Sequence, residues 1–263
     1  FNENRTDFEQ KWNDIKIVLE YGMLSEPKFY EKAGDFVVYP TTEDKFYTLA
    51  ELKENLKDTQ TDKNGKLVVL YASNKDTQHS YIDIAKEKGY QVLLLDSPIV
   101  SHLIQKLEAD NENLIFARVD ADHIDKLIQK DEVQISKLSE DEQTNLKAVL
   151  ETIVPKENYT VQLEPMDSNA APFMITQPEF MRRMKEMSAS GGGGMFGMGN
   201  FPDMYNLVVN SNSNLATAIL KTEDKATQEV LIKQALDLAR IAQGLLKGEE
   251  LTAFVKRSFE NLS

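Results

Sequence analysis

The sequence contains no cysteine. This absence excludes disulfide bonds, thiolate metal sites and cysteine nucleophiles, and it is compatible with a reducing compartment. The sequence also lacks an apolar run long enough to span a membrane, and it does not open with a signal-peptide pattern. We therefore expect a cytoplasmic protein without a membrane partner.

The sequence also has fewer basic than acidic residues. The chain carries 30 lysines and arginines against 43 aspartates and glutamates, which gives a net charge of −13. Nucleic acids and anionic membranes are polyanions that repel such a chain. The charge balance therefore argues against nucleic acid as a partner.

Glycine-rich phosphate motifs are absent. The turn after the first predicted buried strand, Ser73–Thr77, contains no glycine. The four glycines Gly191–Gly194 follow a predicted helix, whereas a phosphate-binding loop follows a strand. We predict no nucleotide and no other cofactor in this chain.

Metal-binding and catalytic motifs are incomplete. Residues 120–125 begin with the acidic spacing of a calcium loop, but Ile124 lacks the required oxygen ligand. The same motif needs glycine in place of Asp125 and glutamate in place of Asp131. The chain has three histidines, which lie far apart: His79, His102 and His123. No nucleophile motif accompanies them, so we predict neither a metal site nor a catalytic site.

Methionine is abundant in one stretch. Six of the nine methionines fall between Met181 and Met204. Phe180, Met184 and Met187 recur at the spacing of one helix face, and a methionine face is adaptable enough to fit many shapes. Filling a core is the alternative interpretation. The run Gly191–Gly194 weakens that alternative, because four consecutive mobile glycines are a poor way to end a helix that is anchored in a core.

The middle of the chain has the pattern of a parallel sheet. Lys66–Ala72 and Tyr90–Leu95 are continuous apolar runs, expected of strands that are covered on both faces. A helix between them ends at Gly89, and Leu114–Val119 is a possible third strand. We predict a small αβα domain with a parallel sheet.

The fold class is α/β followed by α+β. We predict four segments along the chain: a helical segment with a short hairpin at 1–57, the αβα domain at 58–130, a helical linker at 131–154, and an α+β dimerisation domain at 155–263 that ends in a helix pair. The linker prediction depends on a charged helical pattern over Lys130–Glu151. Thr176 is predicted to cap the methionine helix.

The helix pair at the end of the chain is strongly apolar. Its first helix carries a heptad pattern: Leu231, Ala235, Leu238, Ala242 and Leu245. Its second helix has an apolar face: Leu251, Phe254, Val255, Phe259 and Leu262. The pair could pack on its own sheet, but we favour a four-helix bundle with a second copy of the chain.

Several segments together resemble the heat-shock protein 90 chaperones, in particular their bacterial form. The resemblance rests on residues 12–15 with 21–22, on 36–49, on 89–99 and on 205–210, and it extends essentially from Phe1 to Ser263. It implies an ATP-driven homodimeric chaperone. This chain would correspond to the later part of the middle domain and the C-terminal domain. ATP and Mg²⁺ would bind upstream of Phe1, so we do not expect this chain to be an ATPase.

The resemblance also implies sites. Clients, which are partly unfolded proteins, would bind an exposed helix and the loop after it, at Phe180, Met181, Met184, Met187, Met195, Phe196 and Met198. The apolar residues of the terminal helix pair would form the dimer. Bacterial relatives carry a client-binding tryptophan on a helix that corresponds to Ile99–Leu107, where this sequence has His102.

Two other functions remain open at this stage. One is a structural dimerisation module that makes no client contact. The other is a small-molecule enzyme on the αβα domain, which would use polar residues after its strands: Asn74, Asp76, Asp96 and Ser97.

Overall fold

The computed structural model describes residues 1–189 and 204–260. They form two compact units. The first unit comprises residues 1–131 and a helix at 179–189, and the second comprises residues 132–178 and 204–260. None of the helices in these ranges is both long enough and apolar enough to cross a membrane.

The first unit begins with helices and one hairpin. Its elements are α1 (Arg5–Gln10), α2 (Trp12–Ser25), α3 (Pro27–Ala33), β1 (Val38–Pro40), β2 (Phe46–Thr48) and α4 (Leu49–Gln60). Strands β1 and β2 pair antiparallel. Pro27 opens α3, and Thr48 and Glu51, which have the sequence spacing of a capping box, form one at the start of α4. These local signals act without help from distant residues, because Thr48 and Glu51 satisfy backbone groups at the helix start and Pro27 has no N–H that needs a partner.

The predicted parallel sheet is confirmed. It is built from β3 (Leu67–Ala72), α5 (His79–Glu87), β4 (Val92–Leu94), α6 (Val100–Ala109), β5 (Leu114–Arg118) and α7 (Ile124–Leu127). The strand order is β4-β3-β5, and both pairings are parallel. The central strand β3 is almost completely buried, as its continuous apolar run predicts.

One hydrophobic core serves the whole first unit. Trp12 and Met23 of α2 and Leu52 of α4 share a cluster with Tyr71 of β3 and Phe116 of β5. The predicted segments 1–57 and 58–130 are therefore packed as a single body.

The second unit is a mixed sheet with helices. Its elements are α8 (Glu140–Ile153), β6 (Tyr159–Glu164), β7 (Phe173–Thr176), β8 (Tyr205–Asn210), α10 (Asn214–Lys221), α11 (Lys225–Ala242) and α12 (Gly248–Glu260). The strand order is β6-β8-β7, with β6 parallel and β7 antiparallel to β8. Its core joins Leu150 of α8, Ile175 of β7, Leu207 of β8 and Ile232 of α11.

The predicted helix over Lys130–Glu151 begins later than expected. Ser139 and Glu142 form a capping box, so α8 starts at Glu140. The preceding backbone bonds to Asn212 instead, which accepts from the Lys137 N–H at 2.7 Å and donates to the Ile135 carbonyl at 3.0 Å. Because α8 contributes to the core of the second unit, it is part of that unit and not a free linker.

The methionine helix also differs from its prediction. Thr176 does not cap it, because this residue is the last of β7 and pairs with Asn206. The helix, α9 (Glu179–Ala189), belongs to the first unit, whereas the sequence prediction assigned all of 155–263 to one C-terminal domain. Its charged side chains account for this difference.

Candidate functional site

Helix α9 has its charged face inside and its apolar face outside. Arg182 is only 4% exposed, whereas Phe180 is 71% and Met181 is 41% exposed. This is the reverse of the usual arrangement, in which a helix buries its apolar stripe and turns its charges to water. An exposed apolar helix face of this kind is a candidate interaction surface.

The buried face of α9 is fixed by a network of charged hydrogen bonds. Arg182 donates to Glu186 at 2.6 Å, to Glu179 at 2.5 Å and to the hydroxyl of Tyr71. Arg183 donates to Glu179 and to Glu108 of α6, both at 2.7 Å. Hydrogen bonds between ionised groups are stronger than neutral ones, so the network fixes the orientation of α9 on the first unit.

The same network keeps its groups charged. Burial by itself would raise the pKa of Glu179, but Arg182 and Arg183 bring it below its ordinary value. Burial would lower the pKa of both arginines, yet their carboxylate partners hold it above the ordinary value. Burial also raises the pKa of Tyr71, which therefore keeps its proton. The interaction between α9 and its unit is ionic at neutral pH.

The predicted client-binding residues divide into three groups. Phe180 and Met181 are exposed, and Met184 and Met187 are half-buried. The other three predicted residues, Met195, Phe196 and Met198, lie outside the described residues.

The predicted dimer residues of α11 do not share one environment. Ala235 lies in the core of the second unit, and Leu231 and Leu245 pack against that core. Leu238 and Ala242 are exposed. The heptad therefore lies at the border between the core and the surface, and Val230 and Ile241 extend its exposed side.

Helix α12 buries almost nothing. None of its residues from Gly248 to Glu260 is buried, although the helix is amphipathic. Leu251, Val255 and Phe259 are exposed, Phe254 is half-buried, and Leu262 lies outside the described residues.

Polar contacts connect α12 to α11. Arg257 binds Asp237 at 2.7 Å and Glu250 binds Arg240 at 2.5 Å. A groove of about 580 Å³ lies between the two helices. The helix pair thus presents a second exposed apolar surface.

The polar residues after the strands of the parallel sheet serve local structure. Asn74 accepts hydrogen bonds from the N–H groups of Asp76 and Thr77 at 2.9 and 3.0 Å. Asp96 binds Lys16 at 2.5 Å. His102 lies half-buried on α6. Within residues 1–189 and 204–260, no group of three or more histidine or acidic residues is placed to hold a metal ion.

Sequence reasoning missed the charged face of α9. Its signal was nonetheless present, because Glu179, Arg182, Arg183 and Glu186 recur at the three- and four-residue spacing of one helix face. Tyr71 and Glu108 carried no such signal, since they lie far away in the sequence.

These features define an α/β protein with two exposed apolar helix surfaces, one on α9 and one on the helix pair α11 and α12. No protein-family model matches the chain. In an alignment 327 positions long, the chain is 36% identical to the chaperone protein HtpG of Bacteroides thetaiotaomicron. This alignment covers 99% of this chain and 48% of that protein. The chain is 38% identical over 253 residues to HtpG of Porphyromonas gingivalis, covering 95% of this chain and 36% of that protein.

A more distant relative is HtpG of Bdellovibrio bacteriovorus, at 27% identity over 110 residues. The chain therefore belongs to the bacterial branch of the heat-shock protein 90 chaperone family. It spans about half the length of the Bacteroides relatives that it matches.

Proposed function

We propose that this chain forms the client-binding and dimerisation part of an ATP-dependent molecular chaperone. Its clients are partly unfolded proteins, and α9 is the surface that contacts them. The observation that carries this proposal is the reversed amphipathicity of α9, with Arg182 buried and Phe180 exposed. The chaperone names of the relatives support the same function.

The physical basis is burial of apolar surface. An exposed phenylalanine and methionine lose contact with water when a client covers them, at about 25 cal/mol per Å² before ordering is subtracted. Methionine adapts to many partners because its side chain is unbranched and polarizable. The surface therefore favours weak and broad binding, which suits non-native chains. The half-buried Met184 and Met187 extend it, as do Met195, Phe196 and Met198 by resemblance.

Dimerisation through α11 and α12 is the second part of the proposal. Leu238, Val255 and Phe259 are exposed, and α12 buries none of its residues between Gly248 and Glu260. A second copy of the same pair would cover these side chains in a four-helix bundle.

ATP hydrolysis is assigned to the intact protein and not to this chain. The family resemblance implies that ATP and Mg²⁺ bind in a separate nucleotide domain of the intact protein. We assign no cofactor to this chain, and we assign the protein to the cytoplasm.

The client surface is tested by exchanging Phe180 and Met181 for serine in the full chain. We expect suppression of the aggregation of a heat-denatured protein to weaken roughly tenfold, because both side chains lose apolar contact. Light scattering measures the aggregation, and circular dichroism checks the fold.

Ile17→Ser with Val18→Ser is the matched control, since these side chains are also exposed on a helix of the first unit. It should leave suppression unchanged. Unchanged suppression by the folded Phe180→Ser, Met181→Ser chain would exclude the α9 surface and leave a structural dimerisation module.

The dimer is tested by multi-angle light scattering. We expect twice the chain mass of 29.9 kDa for the unchanged chain. Leu238→Asp with Val255→Asp should give one chain mass, because a charge cannot be buried cheaply in the bundle. A monomeric unchanged chain at micromolar concentration would contradict the proposal.

A further inference from the structure

The outer edge of β5 has no neighbouring strand among the described residues. In the parallel pairing with β3, the Leu67 N–H donates to the Asn113 carbonyl at 2.8 Å, and the Val119 N–H donates to the Tyr71 carbonyl at 2.9 Å. Odd-numbered residues of β5 therefore turn their backbone groups to β3. Leu114, Phe116 and Arg118 turn theirs to the outside.

Other groups occupy these outward positions instead of a strand. The Leu114 N–H donates to the Asn111 carbonyl at 2.9 Å, and side chains bond to Phe116 and Arg118. The Phe116 N–H donates to Glu108 at 2.7 Å, and the Phe116 carbonyl accepts from Arg183 at 2.6 Å. The Arg118 N–H donates to Glu179 at 3.3 Å. Two of these three side chains come from α9, so this helix covers the strand edge in the way that proteins protect exposed edges from further pairing.

Polar contacts hold α9 over the outer edge of β5. The hydrophobic core of the first unit, as far as the structure describes it, includes no side chain of α9. Water can replace ion pairs and hydrogen bonds when both partners become solvated, so their net contribution to stability is small. Withdrawal of α9 would therefore leave the core intact and expose the edge of β5.

We propose that this edge is a second peptide-binding site, which accepts an extended, basic polypeptide segment as an added strand when α9 withdraws. The Phe116 carbonyl and the Arg118 N–H would then pair with the segment's backbone. Glu108 would exchange Arg183 for an arginine or lysine of the segment. A second copy of the chain fits less well, because each copy carries a net charge of −13.

This site is separate from the apolar face of α9, which points away from β5. It adds a mode of recognition based on main-chain hydrogen bonds, which suits chains that have lost their own secondary structure. The two proposals can therefore fail independently.

The test uses Arg182→Ala with Arg183→Ala in the full chain, which removes the hydrogen bonds of these arginines to Tyr71, Glu108 and Phe116 and keeps Glu108 itself. The probe is a fluorescent peptide of about eight residues that alternates valine and threonine around one arginine. Fluorescence polarisation should give binding at least roughly tenfold tighter than for the unchanged chain, since α9 no longer competes.

Two control peptides test the recognition itself. A peptide with alternate N-methylated amides cannot pair with the strand, and a peptide with glutamate in place of arginine repels Glu108. Both should bind at least about tenfold more weakly than the probe.

A crosslink between α6 and α9 tests the competition with α9 while both of its arginines are kept. The chain has no cysteine of its own, so Ser101→Cys with Glu186→Cys introduces the only thiols. The native side chains at these positions are hydrogen-bonded at 2.5 Å, close enough for a short thiol crosslinker. Crosslinking should abolish probe binding, while the uncrosslinked variant should bind at least as well as the unchanged chain.

Several results would overturn the proposal. Equal probe binding by the unchanged, arginine-free and crosslinked chains would show that α9 does not control the edge. Equal binding of the N-methylated peptide would exclude strand addition, and self-association of the arginine-free chain would identify a second copy as the occupant. If circular dichroism shows that the arginine-free chain is unfolded, the crosslinking experiment decides alone. Phe180→Ser with Met181→Ser should leave probe binding unchanged.

Discussion

At the residue scale, the partners of the buried Arg182 decide how α9 attaches to the first unit. Arg182 is buried, yet it meets Glu179, Glu186 and the hydroxyl of Tyr71. A buried arginine without such partners would be strongly destabilising. With them, it allows α9 to dock through polar groups and leaves Phe180 free for another molecule.

Arg5 and Glu51 form a partly exposed pair whose effect depends on pH. Arg5 contacts the two carboxylate oxygens of Glu51 at 2.5 and 2.9 Å. Hydrogen bonding from Arg5 lowers the pKa of Glu51 to about 2. A carboxyl group with a lowered pKa stabilises the fold at pH values above its unfolded pKa, and this contribution is lost as the pH falls through the folded pKa.

We therefore expect Glu51→Gln to lower the free energy of unfolding by about 0.5–1 kcal/mol near neutral pH, the range of exposed ion pairs. The difference from the unchanged chain should shrink below about pH 4.5 and vanish only below about pH 2, because Glu51 is half-protonated at its folded pKa. Urea titrations at several pH values measure it. A difference that does not change with pH would contradict the ionic explanation.

At the element scale, α9 and α12 share one property. Each carries an apolar face that the described part of the chain leaves largely uncovered. The two differ in attachment, because α9 is held by a buried ion network and α12 by contacts such as Arg257 with Asp237. Helix α8 is the opposite case, since Leu146 and Leu150 are fully buried in the second unit.

Removal of α12 tests whether this helix stabilises the fold of the single chain or serves only the proposed dimerisation. In a Leu238→Asp background, which we expect to be monomeric, a chain that ends at Lys247 should lose less than about 1 kcal/mol of unfolding free energy, because α12 buries no residue between Gly248 and Glu260. Urea unfolding followed by circular dichroism measures the change.

Leu150→Ala in the same background is the comparison. It should lose about 2–5 kcal/mol, because it opens a cavity in the core. A comparable loss on removal of α12 would mean that this helix belongs to the fold of the single chain.

At the scale of the whole molecule, net charge opposes assembly. Each chain carries a net charge of −13, so two chains repel each other at low ionic strength. Salt shortens the screening length from about 30 Å at 0.01 M to about 8 Å at 0.15 M. In the proposed dimer, added salt would leave the apolar contacts between the two helix pairs in place.

The proposed dimer should therefore tighten as salt rises. We expect the dissociation constant to fall several-fold between about 0.01 and 0.15 M sodium chloride. Sedimentation equilibrium measures it, with the Leu238→Asp, Val255→Asp chain as the monomer reference. Weaker association in salt would point to complementary ion pairs across the interface instead of an apolar one.

Local patterns in the sequence by themselves determined much of the secondary structure. The apolar run Lys66–Ala72 predicts the buried strand β3, the pair Thr48 and Glu51 predicts the start of α4, and Gly89 predicts the end of α5, where its φ is +77°. These predictions hold because strand burial, helix capping and a positive φ are properties of a few neighbouring residues.

Only the tertiary structure decided what each helix face packs against. The heptad of α11 is regular in sequence, yet Ala235 faces the core and Leu238 faces solvent. The methionine helix docks through Arg182 onto Tyr71, which lies 111 residues earlier. Periodicity states which residues share a face, but the partner of that face is set by contacts between distant parts of the chain. For this reason the sequence predicted an apolar surface on α9, and only the fold established that its charged side is the one buried.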